Sequence, residues 1–165
     1  GNAVPAIKSE QDVATYKKDF ARQIRYLQNI NPGVFILVIG PADMATKIKG
    51  ELQTWPYVEE VAQAMKEAAL ENGAAFWNMF EVMGGRNSMI QWVSHKPAWA
   101  GSDYIHFLPL GAKRMSELFT QSFLHYYDYY KFRQRNAHWL YAEEAQATKQ
   151  NWAADSLEVG EYGEE

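Results

Sequence analysis

The stretch GVFILVIG, residues 33–40, decides the fold class. Residues 34–39 form a continuous run of β-branched, aliphatic and aromatic side chains. Such a run, without polar alternation, is typical of a strand that is buried on both faces of a parallel sheet. It is also the longest apolar run in the chain and is far too short to cross a bilayer, so the sequence predicts no membrane span. These residues indicate an α/β domain.

Helical and extended patterns alternate around this strand. Apolar residues at three- and four-residue steps predict a helix over residues 9–31. A second helix is predicted over residues 55–72, and a second strand within residues 74–80. Residues 81–110 follow as a long irregular stretch, and a third helix begins at Pro109. This order predicts right-handed β-α-β units and a parallel sheet covered by helices on both faces.

Two strands make a small sheet, so we expect further strands outside this chain. We interpret the chain as the C-terminal part of a three-layer α/β/α domain with a parallel, doubly wound, flavodoxin-like sheet, whose N-terminal strands are missing. Residues 1–135 are assigned to this domain. Residues 136–165 are polar, end in acidic side chains, and are predicted to form a separate C-terminal extension.

Charge and composition exclude several classes of function. The 165 residues carry 16 basic and 20 acidic side chains, a net charge of −4, with no cationic stripe, so no nucleic-acid partner is predicted. The chain has no cysteine, which excludes disulfides and thiolate metal sites. No pair of histidines has metal-ligand spacing beside a carboxylate, so neither a zinc site nor a cofactor is predicted.

The segment SDYIHF, residues 102–107, holds the strongest candidates for chemistry. Asp103 and His106 lie three residues apart in a segment without helical periodicity. In acyl transfer, a histidine base needs a carboxylate that orients its ring and stabilises its cation, and this spacing lets the two groups meet in one turn. The alternative is a pair of polar residues in an ordinary turn, which the bare D-x-x-H motif favours.

The longer segment SDYIHFLPLGAKRMSELF, residues 102–119, resembles the last sequence block of the SGNH, or GDSL-type, esterases and acylhydrolases. In that block, D-x-x-H is followed by an aromatic residue or proline and then by a glycine that opens the closing helix. Gly111 is at the glycine position. The resemblance implies that His106 is the general base and that Asp103 is its partner.

Three further segments, in the order of that family, extend the resemblance over residues 1–125. GNAV at residues 1–4 resembles the G-x-N-D block, which assigns Asn2 to the oxyanion hole, although the aspartate of the block is absent. NPGVFILVIGPADM (31–44) and AAFWNMFEVMGG (74–85) resemble the fourth and fifth strands with their loops. The pattern is most similar to the bacterial cell-envelope branch. This branch implies an ester substrate, an acylated glycan, and a periplasmic or secreted location.

Four residues are candidates for substrate binding. Asp43 and Met44 lie in the turn after the first strand, and ligands of open α/β sheets bind at the carboxyl ends of strands. Plain turn chemistry is the alternative for both. Trp92 and Trp99 precede the D-x-x-H motif, and aromatic rings stack on sugar faces; packing in the hydrophobic core is the alternative.

No serine in the chain has the strand–turn–helix setting of a nucleophile. Ser156 lies in a D-S-L segment that echoes G-D-S-L, but polar residues precede it. The nucleophile is therefore expected upstream of this chain, and the 165 residues alone are expected to be inactive.

The alternative function is a non-catalytic glycan-binding or protein-interaction module that retains the SGNH fold. Pairing with the missing N-terminal half, or a homo-oligomer, is also expected.

Overall fold

The computed structural model describes residues 3–136. A 3-10 helix at Val4–Ala6 comes first. The elements that follow are, in chain order, α1 (Glu10–Ile30), β1 (Leu37–Ile39), β2 (Ala45–Ile48), β3 (Glu51–Thr54), α2 (Val58–Glu71), β4 (Ala75–Trp77), α3 (Met79–Met83), α4 (Ser88–Ser94) and α5 (Pro109–Arg135). The three predicted helices and both predicted strands are present, whereas β2, β3, α3 and α4 were not predicted from the sequence.

Helix α1 begins and packs as its sequence predicts. The hydroxyl of Ser9 accepts a hydrogen bond from the backbone N–H of Asp12 at 3.2 Å, which makes Ser9 the N-cap. The carboxylate of Asp12 accepts from the N–H of Lys8 at 2.9 Å, one residue earlier than in a standard capping box. Ile24 lies in the core, with Phe20 packed against it, so the apolar stripe faces inward.

The main sheet consists of β1 and β4, which pair in parallel with Leu37 opposite Ala75 and Ile39 opposite Trp77. Helix α2 connects the two strands and packs against both. The observed strand β1 has three residues, Leu37–Ile39, and is shorter than the strand that was predicted over residues 34–39. A parallel pair joined by a packed helix is an α/β arrangement.

A β-hairpin that was not predicted from the sequence follows β1. Strands β2 and β3 pair antiparallel through a two-residue turn at Lys49 and Gly50. Both turn residues have positive φ, 53° and 90°, as a type I′ turn requires. The local signal was a Lys-Gly pair between short strand-like runs, which is weaker than the usual Asn-Gly.

The stretch over residues 81–110 is not irregular throughout, which corrects the prediction made for it. It contains the end of α3 and all of α4. Helix α3 begins at a cap in which the side chain of Asn78 accepts from the N–H of Glu81 at 3.4 Å. Helix α4 begins after Asn87, which has a left-handed backbone with φ of 66°. Both helices are too short to show a clear helical period.

The two faces of β1 differ in burial. Val38 lies in the core and Ile36 packs against it, together with residues of α1 and α2. Phe35, just before β1, is 74% exposed, and Ile39 is also exposed. The three-layer arrangement with helices on both faces of the sheet stays a prediction.

Contacts within the chain group it into two compact units, residues 1–118 and 119–165. The predicted boundary at residue 135 stays a prediction. In the second unit, the described part of α5 exposes several large side chains: Phe123, Leu124, Tyr126, Tyr127, Tyr129, Tyr130 and Phe132.

Across residues 3–136, no helix combines the length and the apolar character that crossing a membrane would need.

Candidate active site

The segment with the D-x-x-H motif forms a closed loop before α5. An isolated antiparallel bridge joins Ala100 to Phe107, and the N–H of Gly101 donates to the carbonyl of His106 at 2.8 Å. Inside the loop, the N–H of Tyr104 donates to the carbonyl of Gly101 at 3.0 Å. These bonds bring the two ends of the motif together, so that its side chains are held on one compact turn.

Asp103 and His106 are hydrogen-bonded through their side chains. The imidazole Nδ1 lies 2.7 Å from Asp103 Oδ2. The other carboxylate oxygen accepts from the backbone N–H groups of Ile105 at 3.0 Å and of His106 at 3.1 Å. The side-chain bond from His106, followed by these two backbone bonds, lowers the pKa of Asp103 to about 2. The carboxylate is therefore ionised at neutral pH, and the predicted pairing of the two side chains is confirmed.

The pairing determines what the histidine can do chemically. A carboxylate only accepts hydrogen bonds, so the shared proton is on Nδ1 of His106. Nε2 is then a proton acceptor in the neutral ring, and among residues 3–136 it has no hydrogen-bond partner. The His106 side chain is 79% exposed, so a substrate or nucleophile can reach this nitrogen. This is the arrangement of a general base with its orienting carboxylate.

Contacts with the segment after β1 hold the loop in place. The N–H of Ala45, six residues beyond the end of β1, donates to the carbonyl of Tyr104 at 3.0 Å. Tyr104 has a positive φ of 59°, a strained conformation for an aromatic residue. Ile105 packs against the hydrophobic core. The loop therefore lies beside the segment that leaves the carboxyl end of β1, as predicted.

A close approach of two backbones fixes the start of α5 below this loop. The N–H of Leu108 donates to the carbonyl of Trp99 at 2.9 Å. A Cβ on Gly111 would collide with that same carbonyl, so only glycine fits in the first turn of the helix. The close approach of the Trp99 carbonyl therefore explains why the motif has a glycine at position 111.

Three of the four predicted substrate-binding residues lie in the interior. Asp43 is 0% exposed, and Met44 and Trp92 are also buried. Met44 belongs to the hydrophobic core, and the indole N–H of Trp92 donates to the carbonyl of Met83 at 3.2 Å. In the part of the chain that the structure describes, these contacts place the three side chains in the interior, and a role of these residues in substrate binding stays a prediction.

Trp99 is partly exposed, and it packs against the ring of a nearby histidine. The imidazole of His95 stacks on the Trp99 indole, with ring centroids 3.8 Å apart and planes 23° apart. Trp92 meets the same indole edge-on at 5.2 Å. His95 Nδ1 donates to the carbonyl of Pro97 at 2.7 Å. One face of the Trp99 indole is therefore occupied by His95, and sugar stacking on Trp99 stays a prediction for the opposite face.

The structure bears differently on Asn2, the predicted oxyanion-hole donor, and on the serines of the chain. Asn2 and Ser156 lie outside the described residues. Ser102 is exposed on the loop that carries the Asp103–His106 pair, which we call the dyad. Within residues 3–136, however, no hydrogen bond joins a serine hydroxyl to His106. Ser88 is buried and donates to Asp43. No three His, Asp or Glu side chains in this range are grouped as a metal site.

An acidic groove of about 760 Å³ lies away from the dyad. Residues of α1, α2 and α3 line it, and neither Asp103 nor His106 is among them. Its single lysine, Lys17, is paired with Glu67 at 2.8 Å and Glu71 at 2.7 Å. The groove is therefore separate from the candidate catalytic pair.

Comparisons with known proteins bear on the fold and on the class of activity. No protein-family model matches this sequence, and no curated protein matches it. A solved structure described as a peptidoglycan O-acetylesterase in action is similar to this chain, with a TM-score of 0.62 and 25% sequence identity. The alignment covers 73% of this chain and 34% of that one, so this chain spans about a third of the length of the structure it matches.

The α/β fold of this chain is thus similar to part of an esterase.

Proposed function

We propose that this chain is the C-terminal part of an SGNH-type serine esterase that hydrolyses small acyl esters carried by a carbohydrate. The observation that carries the proposal is the hydrogen bond between Asp103 and His106 on an exposed loop. The fold similarity to a peptidoglycan O-acetylesterase supports the same class of reaction. A D-x-x-H turn of purely structural origin would not require an accessible imidazole with its Nδ1 fixed by a carboxylate.

In this mechanism, His106 moves one proton. Its Nε2 takes the proton of the nucleophilic hydroxyl as that oxygen attacks the ester carbonyl, and it later returns the proton to the leaving alcohol. Asp103 holds the Nδ1–H and stabilises the imidazolium that forms. Water then attacks the acyl-enzyme with the same base, which releases the carboxylic acid and restores the serine.

The nucleophile and the oxyanion hole belong to residues that the structure does not describe. In this proposal a serine upstream of the given sequence attacks the carbonyl. Asn2 and backbone N–H groups donate to the oxyanion, as the family resemblance implies. Without the serine, the 165-residue chain would have a base and its partner but no acyl acceptor.

The proposed substrate class is an acylated glycan of the cell envelope. The solved structure that this chain resembles is described as a peptidoglycan O-acetylesterase. An aromatic ring beside the dyad would suit a sugar face, and Trp99 is the partly exposed candidate. The proposed location is accordingly periplasmic or secreted.

A second candidate function is a glycan-binding module that retains the fold without catalysis. The observation in its favour is that, within residues 3–136, no serine hydroxyl is bonded to His106. The two functions make opposite predictions for a reagent that reacts only with an activated serine.

A fluorophosphonate probe provides this test, with mass spectrometry to locate the label. We expect a chain that is extended upstream at its N terminus to be labelled on an upstream serine, and the 165-residue chain to stay unlabelled. His106→Ala should abolish labelling, whereas His125→Ala, an exposed histidine on α5, should not. Labelling of Ser102 or Ser156 would contradict the upstream nucleophile, and no labelling of the extended chain would favour the binding module.

A further inference from the structure

A buried carboxylate lies outside the dyad and has no role in the mechanism above. Asp43 is fully buried, and its Oδ2 accepts from the backbone N–H of Met89 at 2.8 Å and from the hydroxyl of Ser88 at 3.4 Å. Among residues 3–136, its other oxygen has no hydrogen-bond partner. Burial raises the pKa of Asp43. Burying a carboxylate with only one satisfied oxygen is costly, which suggests that its position matters.

A second polar contact joins the same regions of the chain. The side-chain carbonyl of Asn87 accepts from the N–H of Thr54 at 2.9 Å, and the N–H of Asn87 donates to the hydroxyl of Thr54 at 2.6 Å. Thr54 ends β3, and Asn87 precedes α4. The start of α4 is therefore tied to the hairpin through Thr54 and to the segment after β1 through Asp43.

The segment that Asp43 anchors supports the dyad loop directly. Two residues beyond Asp43, the N–H of Ala45 donates to the carbonyl of Tyr104, which lies between the two dyad residues in sequence. The carbonyl of Met44 accepts from the N–H of Trp55 at 2.7 Å, so the segment is fixed on both sides. The backbone of Tyr104 is strained, and such a conformation persists only where its surroundings hold it.

We propose that Asp43 is a positioning residue for the Asp103–His106 dyad. By holding Met89 on α4, it fixes the path of residues 43–45, and the bond from Ala45 to Tyr104 transmits this position to the dyad loop. Asp43 does not touch the reacting atoms. Its catalytic consequence rests on the proposed function, but the geometry of the dyad is measurable without any esterase activity.

The test is the tautomer of the His106 ring, read from the ¹⁵N chemical shifts of its two nitrogens in the full 165-residue chain. In the wild type we expect the Nδ1–H tautomer to predominate in the neutral ring, because Asp103 accepts that proton. Asp43→Asn retains a side-chain oxygen for the N–H of Met89 and should keep the tautomer. Asp43→Ala loses this acceptor and should lower the Nδ1–H fraction at least twofold.

A control separates positioning from a general loss of stability. Ile24→Ala opens a cavity in the core at α1 and should lower the melting temperature without changing the tautomer of the folded protein. If Asp43→Ala folds and keeps the wild-type tautomer, the positioning role is wrong. A changed tautomer in Ile24→Ala would equally contradict it, because the effect would then follow stability alone.

Amide hydrogen exchange in the wild type keeps the proposal testable if Asp43→Ala does not fold. The N–H groups of Met89 and Ala45 should then exchange through a common opening, with rates within threefold of each other after correction for intrinsic exchange. Rates that differ by more than tenfold would show that the two contacts open independently and would overturn the proposal. Neither measurement depends on hydrolysis, so a failure here is distinguishable from a failure of the esterase assignment.

Discussion

The carboxylate of Asp103 accepts two hydrogen bonds from His106, one from the imidazole Nδ1 and one from the backbone N–H. The two bonds use different carboxylate oxygens, so the turn itself orients the acid before any substrate binds. Orientation by the backbone lowers the conformational freedom that the pair would otherwise lose in the transition state. The relationship makes the dyad a local, preformed unit.

The first prediction concerns the pKa of Asp103, measured by ¹³C NMR titration of its carboxyl carbon. We expect a pKa of about 2 in the wild type, and a rise toward the ordinary 3.8 in His106→Ala, because the largest cause of the shift is lost. Since the folded-state pKa is lowered, this group favours the folded state above about pH 4, and the effect is lost as the pH falls through about 2.

Asp12 provides the internal control for this titration. Its pKa is lowered chiefly by the backbone N–H of Lys8, so His106→Ala should leave it unchanged. A wild-type Asp103 that titrates near 3.8 would contradict the hydrogen bond on which the site depends.

The second prediction concerns Gly111, which lies against the carbonyl of Trp99. Replacing glycine by alanine inside a helix normally stabilises a protein by roughly 0.5–1 kcal/mol. We expect Gly111→Ala to do the opposite and to lower the free energy of unfolding by about 1–3 kcal/mol, because the added methyl forces two backbones apart.

Urea denaturation measures this change. Ala112→Gly, the neighbouring exposed position on α5, serves as the control and should cost about 1 kcal/mol through helix propensity alone. An increase in stability for Gly111→Ala would show that the close approach is absent.

The third prediction tests the hairpin turn. Lys49 has a left-handed backbone, which costs an ordinary residue roughly 1–2 kcal/mol, and asparagine relieves part of this cost. Lys49→Asn should therefore raise the midpoint of urea denaturation. The same substitution at Lys47, an exposed position in β2, should lower it slightly because asparagine is unfavourable in strands. Equal effects at both positions would argue against a type I′ turn.

The fourth prediction concerns self-association. Within residues 3–136, β1 pairs with no strand other than β4, and Phe35 beside it is 74% exposed. An unpaired strand edge with apolar neighbours promotes association, and a charge there opposes it. Phe35→Lys should reduce oligomers measured by light scattering. Tyr26→Lys, on α1 and 62% exposed, is the matched control and should have little effect. The reverse ranking would place the association surface elsewhere.

The sequence predicted the elements that have strong periodicity or an unambiguous cap. Helix α1 has both an apolar stripe and the Ser9 cap, so its ends were predicted to within one residue. The hairpin at Lys49 and Gly50 was missed because its turn lacks asparagine and its strands have four residues each. Helices α3 and α4 were missed because five and seven residues do not establish a helical period.

In the candidate site, features that depend on local sequence were predictable, and features that depend on long-range contacts were not. The Asp103–His106 pair was predictable because three residues of chain determine whether the two groups meet. The burial of Asp43 was not, since it depends on α4, which begins 45 residues later. The same holds for Trp92, whose interior position depends on a carbonyl of α3. Local spacing therefore identified the dyad, whereas the residues around it required the tertiary structure.

The most direct measurement of the central claim is kcat for release of acetate from O-acetylated peptidoglycan, with the chain extended upstream as the enzyme. We predict that His106→Ala lowers kcat roughly 10²–10⁴-fold, since a positioned general base contributes about that much, and that the melting temperature is almost unchanged because the ring is exposed. His125→Ala should retain the wild-type kcat. An extended enzyme whose kcat is unaffected by His106→Ala would contradict the assignment of this histidine as the catalytic base.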